Sequence, residues 1–543
     1  MKIPAVLLVT CLLVIILYLV FGLFFLNIPY VVPDEGWIIS RAHFLAEHHR
    51  MGDPLFPMEF SPFFEAFFKA APGSQLLGIL SVAIQAVYVT LLPFNDIYSL
   101  RLASFTWSLI ACGVTYMVAR KIGLEKGIAF LAVTLTIAAP IFFSQIHTER
   151  PEIIVTAFYM LSIYFMFRIL EMEAGWTKNI SLFLAGLCSW LIVVMVHPNA
   201  VGIPVSIGGI YLVRNYKRIF KPDVLILGFG LVLGMLYFYY LMQAPAIISK
   251  LNGGGNLMDI QGPPIVEKGI RSVLALPLTF YKKLSGYNGV TRPVSLVFFL
   301  LSCISFYFLY RRKKQTIIYS RLDIIATAIV LPSVILMLFS GSNGKFLVTV
   351  FPLCAIIIAM AVGEQLQNAI NFKRTHLYLL CTGIIVLFAF NFYGMKKQAG
   401  YFAGYLDARK EIREAIPDHS AVVMGANLYS IDFISQPYYS FSGLNPYIGK
   451  PKQAFSEAVA SVKADYLIVE DFSVFRLSSF RDKEWMDEMF SFLQTGCTQV
   501  KELHPENYVG FLVGEPGPFP VQWVNEKAKK NFVTMIRIYK VNR

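Results

Sequence analysis

The sequence predicts a mainly α protein: a polytopic transmembrane helical bundle of about 11 spans, followed by a small α/β extracytoplasmic C-terminal domain. Three observations predict it. First, 56% of the 543 residues are hydrophobic and only 15% are charged, with a mean hydropathy of +0.59; a soluble domain carries about 25% charged residues. Second, apolar runs of spanning length, roughly 17 to 25 residues, recur through residues 1–395. Third, the pattern changes at residue 396 to short strand-like runs and an amphipathic helix, which sets a second domain over 396–543.

In chain order, the apolar runs fall near 5–27, 98–119, 127–145, 153–170, 180–196, 198–213, 222–242, 293–310, 321–340, 345–363 and 376–394. The first exceeds the length of a signal-peptide core and has no small-residue cleavage site before Asn27-Ile28-Pro29-Tyr30, so it is expected to stay as an anchor. Basic clusters occupy alternate gaps: Lys2; Arg120, Lys121 and Lys126; Arg168 and Lys178; Arg214, Lys217, Arg218 and Lys221; Arg311 to Lys314 with Arg321; Lys373 and Arg374. The positive-inside rule makes these gaps cytoplasmic. Residues 75–93 are also apolar, but a crossing there would put every later basic cluster outside. They are therefore expected to lie at the membrane surface on the outer side. This parity gives a cytoplasmic N-terminus and four outer stretches: 28–97, 144–152, about 243–292, and everything after 395.

The tail reads as α/β. "DARKEIREAI" has helical spacing and stops at "PDHS", while "AVVMGA" and "ADYLIVED" are buried-strand patterns. Acidic and basic residues nearly balance in the tail, so the net charge of +13 belongs to the membrane part and follows from topology. Nucleic-acid binding is excluded as its explanation. The seven cysteines are scattered, six of them in apolar runs, and are expected to be small core residues.

The outer stretches hold the candidate chemistry. In "VVPDEGWIIS", Asp34 and Glu35 follow Pro33; Asp34 is expected to cap a helix from Gly36 to about Arg50. "HTERPE" sets His147, Glu149, Arg150 and Glu152 at the mouth of two spans, and Lys345 opens a third in "GSNGKFLVTVFPL". Singly, each reads as a helix cap, a solvated charge or a snorkelling lysine. Together they place carboxylates, a guanidinium, an imidazole and an ammonium on one face of the bilayer. His43, His48 and His49 do not share one helix face, and no metal site is expected.

The order "PDEGWIISRAHFLAE", "SLRLASFTWSLIACGVTYMVARKIG", "HTERPE" and "GKFLVTVFPL" resembles the type C (GT-C) polytopic glycosyltransferases, within them the protein O-mannosyltransferases and the lipid A aminoarabinose transferases. The resemblance implies that Asp34 is the catalytic base with Glu35 as its neighbour and alternative. Glu152 is implied to be the acid of the second outer turn. Arg150 is implied to be a phosphate or carboxylate partner and Lys345 to hold the donor's phosphate, with His147 beside them. Relatives often carry a Pro-Pro pair where this chain reads "FFKAAPGSQ".

These residue types suit direct displacement at the anomeric carbon of a sugar linked to polyprenyl phosphate. A carboxylate takes the acceptor's proton and a cation stabilises the departing phosphate; with no covalent intermediate the outcome is inversion. The expected donor is a polyprenyl-phosphate-linked sugar, and the acceptor a glycan, lipid or protein, met in a bacterial inner membrane with no cofactor and no divalent metal. The competing classes are a secondary transporter, which calls for repeats and midplane charges, and an assembly protein without catalysis.

Overall fold

A computed structural model describes residues 4–24, 26, 33–62, 74–92, 96–145, 151–218, 220–242, 292–311, 321–339, 344–367, 374–400, 404–446, 449–450, 452–478, 481–506 and 535–542. In chain order its helices are α1 (Ala5–Phe24), α2 (Pro33–His48), α3 (Ile79–Leu91), α4 (Asp96–Lys121), α5 (Lys126–Ala138), α6 (Pro140–Gln145), α7 (Glu152–Leu170), α8 (Trp176–Met195), α9 (Gly202–Asn215) and α10 (Pro222–Met242). There follow α11 (Arg292–Arg311), α12 (Leu322–Phe339), α13 (Phe351–Gln367), α14 (Arg374–Gly400), α15 (Tyr405–Ala415), α16 (Phe455–Ser461), α17 (Asp471–Ser478) and α18 (Lys483–Thr495). The strands are β1 (Val423–Gly425), β2 (Tyr438–Ser440), β3 (Tyr466–Glu470), β4 (Cys497–Leu503) and β5 (Ile536–Val541). The chain divides into two compact units. One holds residues 1–26, 104–240 and 263–395; the other holds 27–103, 241–262 and 396–543.

The first unit is helical. Eight described helices are long and apolar enough to cross a membrane, against eleven expected spans. The run at 127–145 is broken into α5 and α6, 198–213 is a 3-10 turn (Pro198–Val201) followed by the 14 residues of α9, and 321–340 is α12 with Pro332 inside it. Proline explains the irregularities, because it lacks the N–H that an interior turn requires. Pro332 leaves Ala328 O without its helical donor, and the Tyr159 hydroxyl donates to that carbonyl instead. At the α5–α6 break, Asn391 Nδ2 donates to Ala138 O at 3.0 Å. Both freed carbonyls are thus satisfied inside the bundle.

The crossing at 345–363 is central, with 83% of its apolar window buried, whereas α8, α10, α11 and α14 bury 22 to 28% of theirs. A helix that is apolar all round suits the middle of a bundle. Of the seven cysteines, Cys11, Cys112, Cys354, Cys381 and Cys497 are buried; Cys188 and Cys303 are exposed on outer helices, not in the core as expected. Three basic gaps meet at one end of the unit, where Lys121 and Arg321 both bind Glu171, as their alternation along the sequence requires.

The second unit is built on a five-stranded sheet in the order β2-β1-β3-β5-β4, with β2, β1 and β3 parallel and β5 antiparallel to both β3 and β4. Period-two alternation sends Val423, Ile468 and Ile538 to one face and Met424, Leu467 and Tyr539 to the other. The second face is covered by α16 and α18, through Phe455, Val459, Met489 and Leu493. The first is covered by α15 and by residues from far upstream: Ile39 and Ala42 of α2, Leu55, Ala86 and Val89 of α3, and Ile97 and Leu100 at the start of α4. Leu55 O also accepts the amide of Ser440 on the edge strand at 2.9 Å. Residues from the stretch between α1 and α4 are therefore one layer of the tail's own core. α3 spans 13 residues, about 20 Å at 1.5 Å per residue, well short of the roughly 30 Å hydrocarbon layer; it packs on α2 in this unit.

Backbone-to-backbone contact joins α8 to α10. A Cβ on Gly230 would lie 2.4 Å from Phe183 O, and one on Gly186 2.8 Å from Leu227 O; a Cβ on Gly228 meets nothing within 4 Å. Gly230→Val is expected to lower the unfolding midpoint in detergent by the equivalent of about 1–3 kcal/mol, while Gly228→Val leaves it nearly unchanged. Tryptophan fluorescence during thermal unfolding reads both.

Candidate active site in the first outer loop

Helix α2 starts at Pro33, whose fixed φ suits a first helical position. Asp34 therefore lies inside the first turn, and not at the cap ahead of Gly36 as expected. Glu35 is buried at 1% exposure. Its two oxygens take a bidentate pair from Arg101, Nε at 2.8 Å and Nη2 at 2.9 Å, and the arginine side chain is itself 0% exposed. A fork of this kind is the geometry in which a buried ion pair offsets its desolvation. Removing one partner of such a pair costs about 3–5 kcal/mol, because the other charge is left uncompensated.

The same helix is fixed from the tail. Ser430 Oγ lies 3.0 Å from Gly36 O and 2.7 Å from Asn427 O, and Ser40 Oγ donates to Gly36 O at 2.9 Å. Below this contact, Tyr405 donates to Leu428 O at 3.2 Å and Tyr429 donates to Glu470 Oε2 at 2.7 Å. Burial raises the Tyr405 phenol above its usual range; Arg409 opposes this, while the charges of Asp432, Glu35 and Glu470 add to it. Glu35 thus lies within electrostatic reach of the tail's buried polar cluster.

In the helical unit, Glu152 is the first residue of α7 and is buried at 2%, where the helix N-terminus favours a carboxylate. Lys345 lies in the 3-10 segment Gly344–Val350, which packs against α7 and α6. His147 and Arg150 fall outside the described residues, as do the side chains of Asp34 and Lys345.

No protein-family model and no curated protein matches the chain. Among solved structures, ArnT from Cupriavidus metallidurans in the apo state aligns over 86% of this chain and 94% of its own, with a TM-score of 0.55 and 12% identity. The same protein bound to undecaprenyl phosphate aligns over 87% and 95%, at 0.51 and 13%. The chain has a GT-C-like fold. The oligosaccharyltransferase of Archaeoglobus fulgidus, in complex with Zn and sulfate, aligns over 91% of this chain and 71% of its own, at 0.49 and 10%.

Two residues of this GT-C-like protein were not singled out from its sequence. Arg101 had a signal: a lone arginine in the apolar run "SLRLASFTW" needs an anionic partner. Asp53 had none. It lies just past α2 with its side chain 1% exposed; Trp37 Nε1 donates to Oδ1 and Arg41 Nε stands 3.6 Å from the same oxygen. Among the described residues Oδ2 takes no hydrogen bond. Burial pushes the Asp53 carboxyl up to about 6, against the pull of Arg41 and the Trp37 hydrogen bond.

Because the folded state then holds a proton that the unfolded chain has released, stability falls as pH rises from about 4 through 6. Asp53→Asn keeps an acceptor for Trp37 and removes the ionisation. Its unfolding midpoint is expected to be close to the parent's near pH 4 and above it at pH 7.5, by up to about 3 kcal/mol. Thermal unfolding across that pH range checks this.

Proposed function

We infer that this protein is an integral-membrane glycosyltransferase that moves a sugar from a polyprenyl-phosphate donor to an acceptor on the non-cytoplasmic face of a bacterial inner membrane. The observation that carries the reading is the GT-C-like fold shared, over nearly the whole of both chains, with a protein whose structure holds undecaprenyl phosphate. The residues of the first outer loop fit the chemistry. Glu35 is committed to Arg101 through both oxygens, so it orients α2; Asp34, its neighbour in the same turn, is the general base.

The acceptor hydroxyl attacks the anomeric carbon as Asp34 takes its proton, and the bond to the lipid phosphate breaks with inversion. Lys345 and Arg150 take up the charge that develops on the departing phosphate, with His147 beside them and Glu152 as the second acid of the site. The scheme calls for no metal ion and no cofactor. The acceptor is a glycan, lipid or protein presented from the same side.

The test is transfer from radiolabelled polyprenyl-phosphate sugars by the detergent-purified protein. Asp34→Asn is expected to lower kcat by about 10²–10⁴-fold with an unchanged unfolding midpoint. Glu152→Gln is also expected to lower kcat. Near-normal transfer by Asp34→Asn removes Asp34 as the base.

A further inference from the structure

We propose that the 3-10 segment Asn427–Phe433 of the C-terminal residues, with Ser430 at its centre, is a positioning element for the base on α2. The inference rests on the glycosyltransferase reading and goes beyond it, since it gives the tail a part in the chemical step. An acceptor platform would need only a free surface. This segment instead meets the backbone of the turn that carries Asp34, across 394 residues of sequence.

The approach is too close for any residue but glycine. A Cβ on Gly36 would stand 2.0 Å from Asn427 O and 2.9 Å from Ser430 Oγ. Two hydroxyls converge on Gly36 O: Ser40 Oγ at 2.9 Å from within α2 and Ser430 Oγ at 3.0 Å from the tail, the two lying 3.4 Å apart. Ser430 is 1% exposed and Ser40 9%, so both bonds are made away from solvent, where an unmet donor is costly.

Behind Ser430 the segment is itself held. Leu428, Tyr429, Ile431 and Phe433 are buried in the core that also takes Ile39 and Ala42 of α2. Tyr429 reaches Glu470 at the end of β3. The central strand, the 3-10 segment and the first turn of α2 thus form one rigid chain of contacts within a single unit. On the opposite side of the same turn is the Glu35–Arg101 fork. Asp34 directly precedes two fixed residues, Glu35 pinned through its side chain and Gly36 through its carbonyl. A shift of about 1 Å in such a turn is enough to cost on the order of 10²-fold in rate.

Gly36→Ala forces α2 off Asn427 O, and Ser430→Ala removes the hydroxyl while leaving the close packing in place. With a polyprenyl-phosphate sugar as donor, Ser430→Ala is expected to lower kcat about tenfold and Gly36→Ala about 100-fold, with KM for the donor unchanged and the Ser430→Ala protein still folded at the assay temperature. Lys410→Ala, an exposed change on α15, is expected to match the parent. Parent-like kcat in a folded Ser430→Ala protein, or a rise in KM with kcat unchanged, overturns the positioning role and leaves the glycosyltransferase reading standing. A parent protein that transfers no sugar from any lipid-phosphate donor overturns both.

Discussion

The buried fork between Glu35 and Arg101 is the constraint on which the placement of α2 depends. An arginine with no solvent exposure, one turn into an apolar helix, is tolerable only beside an anion that meets its planar donors with two oxygens. The partner comes from a helix otherwise separated from it by 66 residues. Satisfying that arginine ties the first turn of α2 to the start of α4.

The second constraint is the sheet. Its two faces both need cover, and α15 is too short to cover one of them alone. Residues upstream of α4 supply the remainder, with Ile39, Ala42, Leu55 and Val89 entering the same core as Val423 and Ile468. Residues 396–543 share one compact unit with residues 27–103, which complete its core. Residues 27–103 and the tail therefore hold the first turn of α2 together, which is why its Gly36 carbonyl can be met by Ser430.

Much of the architecture was legible because it rests on local signals. Hydrophobic runs gave the long helices, alternating basic gaps gave the shared end where Lys121, Glu171 and Arg321 meet, and "DARKEIREAI", "AVVMGA" and "ADYLIVED" became α15, β1 and β3. Eight of the expected spans are long apolar helices among the described residues; the break before Pro140 and the proline inside α12 leave carbonyls of Ala138 and Ala328 whose partners, Asn391 and Tyr159, come from distant segments. The site was half legible. Acids at span ends can be seen in sequence, but whether Glu35 is solvated or locked depends on Arg101, and Gly36 looks ordinary until Asn427 is set against it. Asp53 left no trace at all, because its burial depends wholly on the fold of the loop.

In the proposed reaction Glu35 orients α2 and Asp34 takes the proton. This assignment is tested most directly by sugar transfer in the double variant Glu35→Met with Arg101→Met, set against each single change. A buried ion pair replaced whole by apolar side chains leaves no stranded charge, so a pair that only orients predicts that the double variant recovers at least about tenfold over either single one. A folded double variant as inactive as Glu35→Met alone contradicts the account, and would make Glu35 the reacting carboxylate.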